Sequence, residues 1–409
     1  MIALLGYGKT NQALLKLLNE QKTQCIVLDD CIVEEKKDER GNVFLPSVQR
    51  SKISPSLEIP SPGIPPSHPM ILDSQNLVSE YDFLLKDQKQ IWISGTNGKT
   101  TTTEMLEWIL RDFGGASGGN IGTPLASLVA QEPKIWILET SSFSLHYTHS
   151  VFPNVYLLLP VREDHISWHG SFEAYQKAKL SPLVRMSSAC TALIPREFET
   201  YDEVLQSQAK IITYESSLDL ARAFGFELSK ISLSEPFLLD ALLALCGAKV
   251  LVGRDLSEKL ADYRIGAHKI EEFYDQGGRL WVDDSKGTNV DATIWALRAY
   301  REKKIYLILG GDDKGADLHP LFEELINYDV EIFGIGSNVS KLQKLSVDFE
   351  IPFHPCFQLE CAVQEISLRH SLESVALLSP AAASLDQFSS YKERGELFQK
   401  MAQVLGKSL

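Results

Sequence analysis

The sequence predicts an α/β protein of three domains, each built on a mainly parallel sheet. Three observations predict this. Short apolar runs alternate with stretches of helical periodicity, as in strand–helix–strand units. Glycine-rich turns follow several of those runs directly, where parallel sheets gather their ligands. The chain, at 409 residues, is also too long for one compact core.

Taken in order, the first domain (residues 1–86) opens with a strand over Ile2–Leu5, a turn at Gly6 and Gly8, a helix over Asn11–Glu20 and a strand over Gln24–Leu28. The charge run Glu34–Arg40 reads as a solvated loop, and Ser54–Pro69 is a Pro/Ser-rich stretch. The second domain (residues 87–266) has a strand at Ile91–Ser94, a Gly/Lys/Thr loop and a helix reaching Phe113, stopped by Gly114 and Gly115. Ile135–Leu138 and Val155–Leu159 are short enough for buried strands, and Phe237–Ala248 reads as a mostly apolar helix. In the third domain (residues 267–409) strands are expected at Leu280–Val282, Ile305–Leu309, Val330–Gly334 and Val375–Leu378, with a helix over Asp291–Tyr300. The chain shows no internal repeat.

Composition narrows the function classes. Hydrophobic residues at 44% and charged residues at 23% are ordinary for a soluble enzyme. No apolar run approaches the roughly 20 residues that span a bilayer. Met1–Leu5 meets Gly6 with no basic region before it, so it reads as a strand and not as a secretory signal. A net charge of -14 argues against non-specific nucleic-acid binding. The six cysteines show neither CxxC nor zinc spacing and read as reduced thiols of a cytosolic protein.

In so acidic a chain the placement of lysines carries the signal. Gly95-Thr96-Asn97-Gly98-Lys99-Thr100-Thr101 lies between a strand and a helix. Its glycines let backbone N–H groups wrap a phosphate at a helix N-terminus. Lys99 suits the β/γ-phosphates and the Thr100 hydroxyl suits Mg²⁺, although the loop is two residues shorter than GxxxxGK[ST]. Glu139 ends one predicted strand and Asp164-His165 follows the next, at the sheet edge that carries the loop. At the N-terminus, Gly6-Tyr7-Gly8 has Asn11 where a dinucleotide fingerprint has its third glycine, and Asp29 ends the next strand. That fragment suits NAD, another nucleotide or a plain tight turn. Lys286 and Lys314 follow apolar strands in the third domain, positions that suit capture of a carboxylate or phosphate.

Together these motifs resemble the Mur ligases of bacterial cell-wall precursor synthesis, over essentially the whole chain. The matching pieces are Ser61–Pro69, the GTNGKTT loop, Gly119–Gly122, Glu139–Ser142, Glu163–His165 and Tyr175–Lys179. Further on come Asp284–Lys286 with Thr288-Asn289, Gly311–Lys314, and Leu378–Phe388 with Glu393–Gly395. The last stretch is associated with addition of D-glutamate to UDP-N-acetylmuramoyl-L-alanine through an acyl phosphate. A folylpolyglutamate synthase-like ligase is the near rival, and the complete first domain favours the UDP-linked substrate.

The resemblance implies a Rossmann-like first domain, a central ATPase domain of P-loop type and a Rossmann-like third domain. It implies that Gly8, Lys9, Thr10, Asp29, Asp30, Ser61, Gly63 and Asn120 contact the UDP-linked substrate. ATP would take Gly95, Thr96, Asn97, Gly98, Lys99, Thr100 and Thr101, with Asp240, Lys269 and Asp284. D-Glutamate would meet Lys286, Thr288, Lys314, Ser384, Leu385 and Tyr391. Lys99, Glu139, His165 and Lys179 would be catalytic. Two Mg²⁺ ions are implied, one held by Thr100 and Glu139, the other by Glu139, His165 and a carbamylated Lys179. Carbamylation needs a neutral amine, and an ordinary lysine of pKa about 10.4 is less than about 1% neutral at pH 7, so Lys179 should be buried. A cytoplasmic monomer with no nucleic-acid or membrane partner is expected.

Three positions depart from the family pattern. Asp240 stands where an adenine-contacting Asn is expected and offers acceptors only. Lys269 stands in place of an arginine near the phosphates and lacks its bidentate fork. Asn11 replaces a glycine.

Overall fold

A computed structural model gives the fold and describes residues 1–120 and 122–405. The chain divides into two compact units, Met1–Tyr263 and Arg264–Leu409. Two sheets lie in the first unit and one in the second.

The first sheet contains β1 (Ile2–Leu5), β2 (Cys25–Asp29), β3 (Lys36–Lys37), β4 (Val43–Pro46) and β5 (Leu57–Pro60), in the order β3-β4-β2-β1-β5. All but β3 run parallel. The helix Lys9–Glu20 covers it with Leu14, Leu15, Leu17 and Leu18 facing inward. The expected loop at Glu34–Arg40 instead carries the antiparallel edge strand β3. Asp38 builds that turn, its Oδ1 accepting from the N–H groups of Arg40 (3.0 Å) and Asn42 (2.8 Å), with Gly41 at φ +90°. Lys36 and Lys37 stay exposed, which blunts the edge against further pairing. Inside the Pro/Ser-rich stretch, β5 buries Glu58 completely. Arg50, the Ser74 hydroxyl and the N–H groups of Gln75 and Asn76 answer that carboxylate and hold it ionised.

The second sheet contains β6 (Lys89–Ser94), β7 (Gly115–Gly119), β8 (Ile135–Glu139), β9 (Val155–Leu158), β10 (Thr191–Pro195) and β11 (Lys210–Tyr214). Its order is β11-β10-β9-β6-β8-β7 and every pair is parallel. The runs read as strands are buried on both faces, with Trp92, Ile137 and Leu157 wholly inaccessible. β6 lies between β8 and β9, so the segments after all three strands meet at one edge. The helices Lys99–Leu110 and Phe237–Val252 pack against each other over this sheet.

The third sheet contains β12 (Glu271–Tyr274), β13 (Leu280–Asp283), β14 (Lys304–Leu309), β15 (Val330–Ile335), β16 (Phe353–Phe357) and β17 (Ser374–Leu378). Its order is β12-β13-β17-β14-β15-β16, parallel except for β12. One core forms on each face, around Leu307 and Phe322 on one side and Trp281 and Phe398 on the other. Among the described residues no helix is long and apolar enough to cross a membrane.

Candidate active site

The loop after β6 has the geometry of a phosphate cradle. Gly95 and Gly98 sit at φ +141° and +82°, and Gly98 caps the helix Lys99–Leu110. A Cβ on Gly98 would fall 2.2 Å from Asp240 Oδ1, so a glycine is required there and Asp240 lies directly against the loop. Lys99 Nζ folds back to donate to the carbonyls of Gly95 (2.9 Å) and Thr96 (2.8 Å). The Thr96 hydroxyl donates to Arg162 O, accepts from Arg162 N–H and meets the Tyr175 hydroxyl at 3.0 Å, tying the cradle to the segment after β9. Thr101 is buried in the same helix, and Thr100 and Asn97 are partly accessible.

Lys179 is 1% exposed and donates to the same Gly95 carbonyl at 2.7 Å. Two amines thus converge on one oxygen of the cradle. Burial, and then the charge of Lys99, push Lys179 well below the ordinary lysine value, with Asp164 and Glu139 opposing in part. Burial also lowers Lys99, against the same two carboxylates. The sequence asked for a buried Lys179, and the structure buries it.

Glu139 ends β8 at 2% exposure. Its Oε1 accepts from Asn120 Nδ2 at 2.6 Å, while Oε2 is buried with no hydrogen-bond partner among the described residues. A buried carboxylate oxygen left over in this way is the coordination a divalent cation would complete. Asn120, expected at the substrate, also orients Glu139 through this bond. Gly119 permits the arrangement, since a Cβ there would lie 2.5 Å from Glu139 O. His165 stands at φ +54°, with its ring against Phe143 at 4.7 Å.

Next to it lies a group the sequence reading missed. His169 Nε2 meets Ser142 Oγ at 2.9 Å, and burial with the neighbouring His146, His165 and Lys179 pushes its pKa down to about 4. Nothing in residue spacing singles it out, because only the turn at His165 brings it back over Ser142.

At the first sheet Gly6 turns at φ +81° and Gly8 caps the helix Lys9–Glu20, so Lys9 and Thr10 form its first turn. A Cβ on Gly8 would lie 3.2 Å from Ser61 Oγ. Asp29 Oδ2 accepts from Tyr7 N–H in that turn (2.6 Å), and its Oδ1 accepts from Cys31 N–H in its own loop (2.9 Å). Asp30 pairs with His68 at 3.1 Å, and the Ser47 hydroxyl, then His68, hold it below the usual carboxylate range. Asn11 explains the absent third glycine. Its fully buried amide donates to the carbonyls of Leu5, Gly6 and Ile59, tying the turn to β1 and β5. Trp168 Nε1 donates to Gly63 O at 3.1 Å, joining this turn region to the His165 segment.

In the second unit the expected residues sit at the carboxyl ends of β13, β17 and β14, which are neighbours in that order. Lys286 and Thr288 follow β13, Ser384 and Leu385 follow β17, and Lys314 follows β14 at φ +51°. Asp312 and Ala383 exchange backbone hydrogen bonds at 3.0 and 2.9 Å. Ser384 is buried, Leu385 is exposed, and Tyr391 O accepts from Ser285 Oγ at 2.7 Å. Asp284 accepts from the Ser379 hydroxyl at 2.7 Å, and burial raises its pKa to about 7. Lys269 is buried between His268 and Ile270, both at positive φ. His268, Glu271 and Asp283 also cluster tightly enough for a cation. Their atoms are spent on one another, His268 Nδ1 on Asp283 at 2.7 Å, and Gln399 donates to both carboxylates.

Comparison with known proteins follows this geometry closely. Residues 93–225, which carry the cradle, Glu139, His165 and Lys179, match the Mur ligase middle domain. The chain is 45% identical to the UDP-N-acetylmuramoylalanine--D-glutamate ligase of Helicobacter pylori (strain HPAG1), over 97% of this chain and 98% of that protein. It is 46% identical to the protein of the same name from Campylobacter jejuni (strain RM1221), over 98% of each. In fold it is similar to the MurF ligase of Thermotoga maritima solved with ADP, with TM-score 0.59 and 15% identity over 98% of this chain and 94% of that one. Full-length identity of this order, with the middle domain matched across Glu139, His165 and Lys179, places the chain in the Mur ligase family, among the UDP-N-acetylmuramoylalanine--D-glutamate ligases.

Proposed function

We propose that the chain is an ATP-dependent ligase that joins the amine of D-glutamate to the alanine carboxylate of UDP-N-acetylmuramoyl-L-alanine, in peptidoglycan precursor synthesis. The observation that carries the reading is the convergence of Lys99 and Lys179 on Gly95 O beside Glu139. The reaction brings a carboxylate against the γ-phosphate of ATP, so two anions must be held together while phosphoryl transfers. Backbone N–H groups of the cradle and the Lys99 charge are suited to hold that phosphate. The alanine carboxylate oxygen forms the new bond to phosphorus, ADP leaves, and the acyl phosphate results. The D-glutamate amine then attacks the acyl carbon, phosphate leaves, and a proton is lost from nitrogen.

Two Mg²⁺ ions would be held here, one by Thr100 and Glu139 and the other by Glu139, His165 and a carbamylated Lys179. When bound they would screen the phosphate charges and polarise the transferring group. Glu139 Oε2, buried without a hydrogen-bond partner among the described residues, supports that assignment. The depressed Lys179 amine supports carbamylation, in which nitrogen bonds the carbon of CO₂ and a proton is released.

Residues 1–86 are assigned to the UDP-linked substrate, 87–266 to ATP and 267–409 chiefly to D-glutamate. Lys286, Thr288, Lys314, Ser384, Leu385 and Tyr391 are the amino-acid contacts, and Lys269 and Asp284 act on the nucleotide. We place the enzyme in the cytoplasm as a monomer with small-molecule partners only. The test of the chemistry is isotopic. With ¹⁸O in the alanine carboxylate, one labelled oxygen should appear in released phosphate; unlabelled phosphate would rule out the acyl phosphate.

A further inference from the structure

Beneath the loops assigned to D-glutamate lies a charged group that the assignment leaves unused. Arg394 projects from the helix Tyr391–Gln403 and is 1% exposed. Its Nε donates to Ser285 Oγ at 3.0 Å and one terminal nitrogen to Ser285 O at 2.8 Å. Both terminal nitrogens also donate to Ala382 O, at 3.2 Å each. Ser285 immediately precedes Lys286 after β13, and Ala382 lies just before Ser384 after β17. Those strands are parallel neighbours. The two loops touch again where Ala381 N–H donates to Gly287 O at 3.0 Å, and Ala383 links on to the Lys314 loop through Asp312.

A guanidinium is costly to bury, and an apolar side chain of similar volume would fill the space more cheaply. Here carbonyls and a hydroxyl answer it. Burial lowers its pKa to about 10, with Asp386, Asp283 and Asp284 opposing. What arginine supplies and an aliphatic residue cannot is a planar fork whose donors keep fixed angles.

We propose that Arg394 is a positioning residue for D-glutamate: its fork locks Ser285 to Ala382, so that Lys286, Thr288 and Ser384 are presented as one preformed set. The inference rests on the D-glutamate assignment above. Preorganised loops spare the ligand the cost of ordering them, so the effect belongs in the apparent affinity for the amino acid.

The experiment uses full-length Arg394→Lys, Arg394→Met and Lys314→Ala, with melting temperature, kcat and a separate KM for each of the three substrates. Lysine keeps the charge and loses the fork. Arg394→Lys should raise KM for D-glutamate at least tenfold, with kcat and the other two KM values within threefold of the parent. Arg394→Met should do at least as much. A lower melting temperature with unchanged KM for D-glutamate would overturn the proposal, as would an equal rise in all three KM values. Should neither Arg394 variant fold, Ser285→Ala removes one acceptor and should raise the same KM about threefold; no rise overturns the proposal. If Lys314→Ala raises KM for D-glutamate and the Arg394 variants do not, the assignment stands and the role of Arg394 falls. If Lys314→Ala leaves it unchanged, the assignment fails and takes this inference with it.

Discussion

Replacing Lys179 by alanine separates stability from chemistry. The amine removed is almost wholly buried and donates to Gly95 O, but Lys99 donates to the same oxygen, so that carbonyl is not orphaned. The lost bonds to Gly95 O and Ser94 Oγ are worth about 1 kcal/mol, and truncating the buried four-carbon stem leaves a cavity that costs about 2–5 kcal/mol more, so melting should fall by several degrees. Removing an amine that burial and Lys99 already disfavour as a cation offsets part of that. Activity should respond on a different scale. Loss of a preorganised group at the site of transferring charge costs about 10²–10³ in kcat, or about 2.7–4 kcal/mol. Phosphate release in the presence of all substrates, with and without formate or acetate, is the assay. The variant should be slower by at least that factor, stay folded with melting lowered by several degrees, and regain activity as the short carboxylate fills the vacated space. A folded Lys179→Ala within tenfold of the parent, or one that no small carboxylate rescues, would refute the carbamate.

Three further outcomes are expected. Gly98→Ala puts a Cβ at φ +82° into Asp240 Oδ1 and Leu159 Cδ2, adding about 1–2 kcal/mol of backbone strain to the clash, and should weaken ATP binding at least tenfold by calorimetry. Lys314→Ala removes a charge-assisted bond of about 1.5–3 kcal/mol, so KM for D-glutamate should rise by about 10- to 100-fold in steady-state kinetics. Glu80→Gln tests pure stability. Burial raises that carboxyl to about 8, with Ala126 N–H opposing, so between the unfolded value and about 8 the folded state holds a proton that the unfolded chain releases. Stability of the parent therefore falls as pH rises through that window and levels off above it. Gln does not titrate, so in denaturant melts the variant should gain about 3–5 kcal/mol on the parent between pH 5 and pH 8.5; a constant difference would contradict the burial argument.

The strands that sequence analysis found are nearly unbroken apolar runs, β6, β8, β9 and β14 among them, whereas β10, buried at every position, was missed because Thr191 and Pro195 shorten its apolar run. Others it missed carry no such run, for physical reasons. β7 is Gly-Ala-Ser-Gly-Gly, with no propensity to read, and its last glycine is there to let Glu139 O approach. Prolines interrupt β5 and β16, and β12 is an edge strand that alternates only weakly. In the site, Glu139 and His165 were legible because they end or follow apolar runs. The roles of their neighbours were not: Asn120 turns to Glu139, Asp29 to the Gly6–Gly8 turn, and Asn11 to three carbonyls. Those partners come from other strands, and no local spacing records them. Arg394 is the extreme case, since its two partners lie 109 and 12 residues away.

The account stands most directly on amino-acid specificity. Initial rates of ATP-dependent phosphate release should be measured with UDP-N-acetylmuramoyl-L-alanine and either D-glutamate, L-glutamate or no amino acid. Release that requires D-glutamate is the predicted result. Release supported by L-glutamate, or by neither isomer, would contradict it.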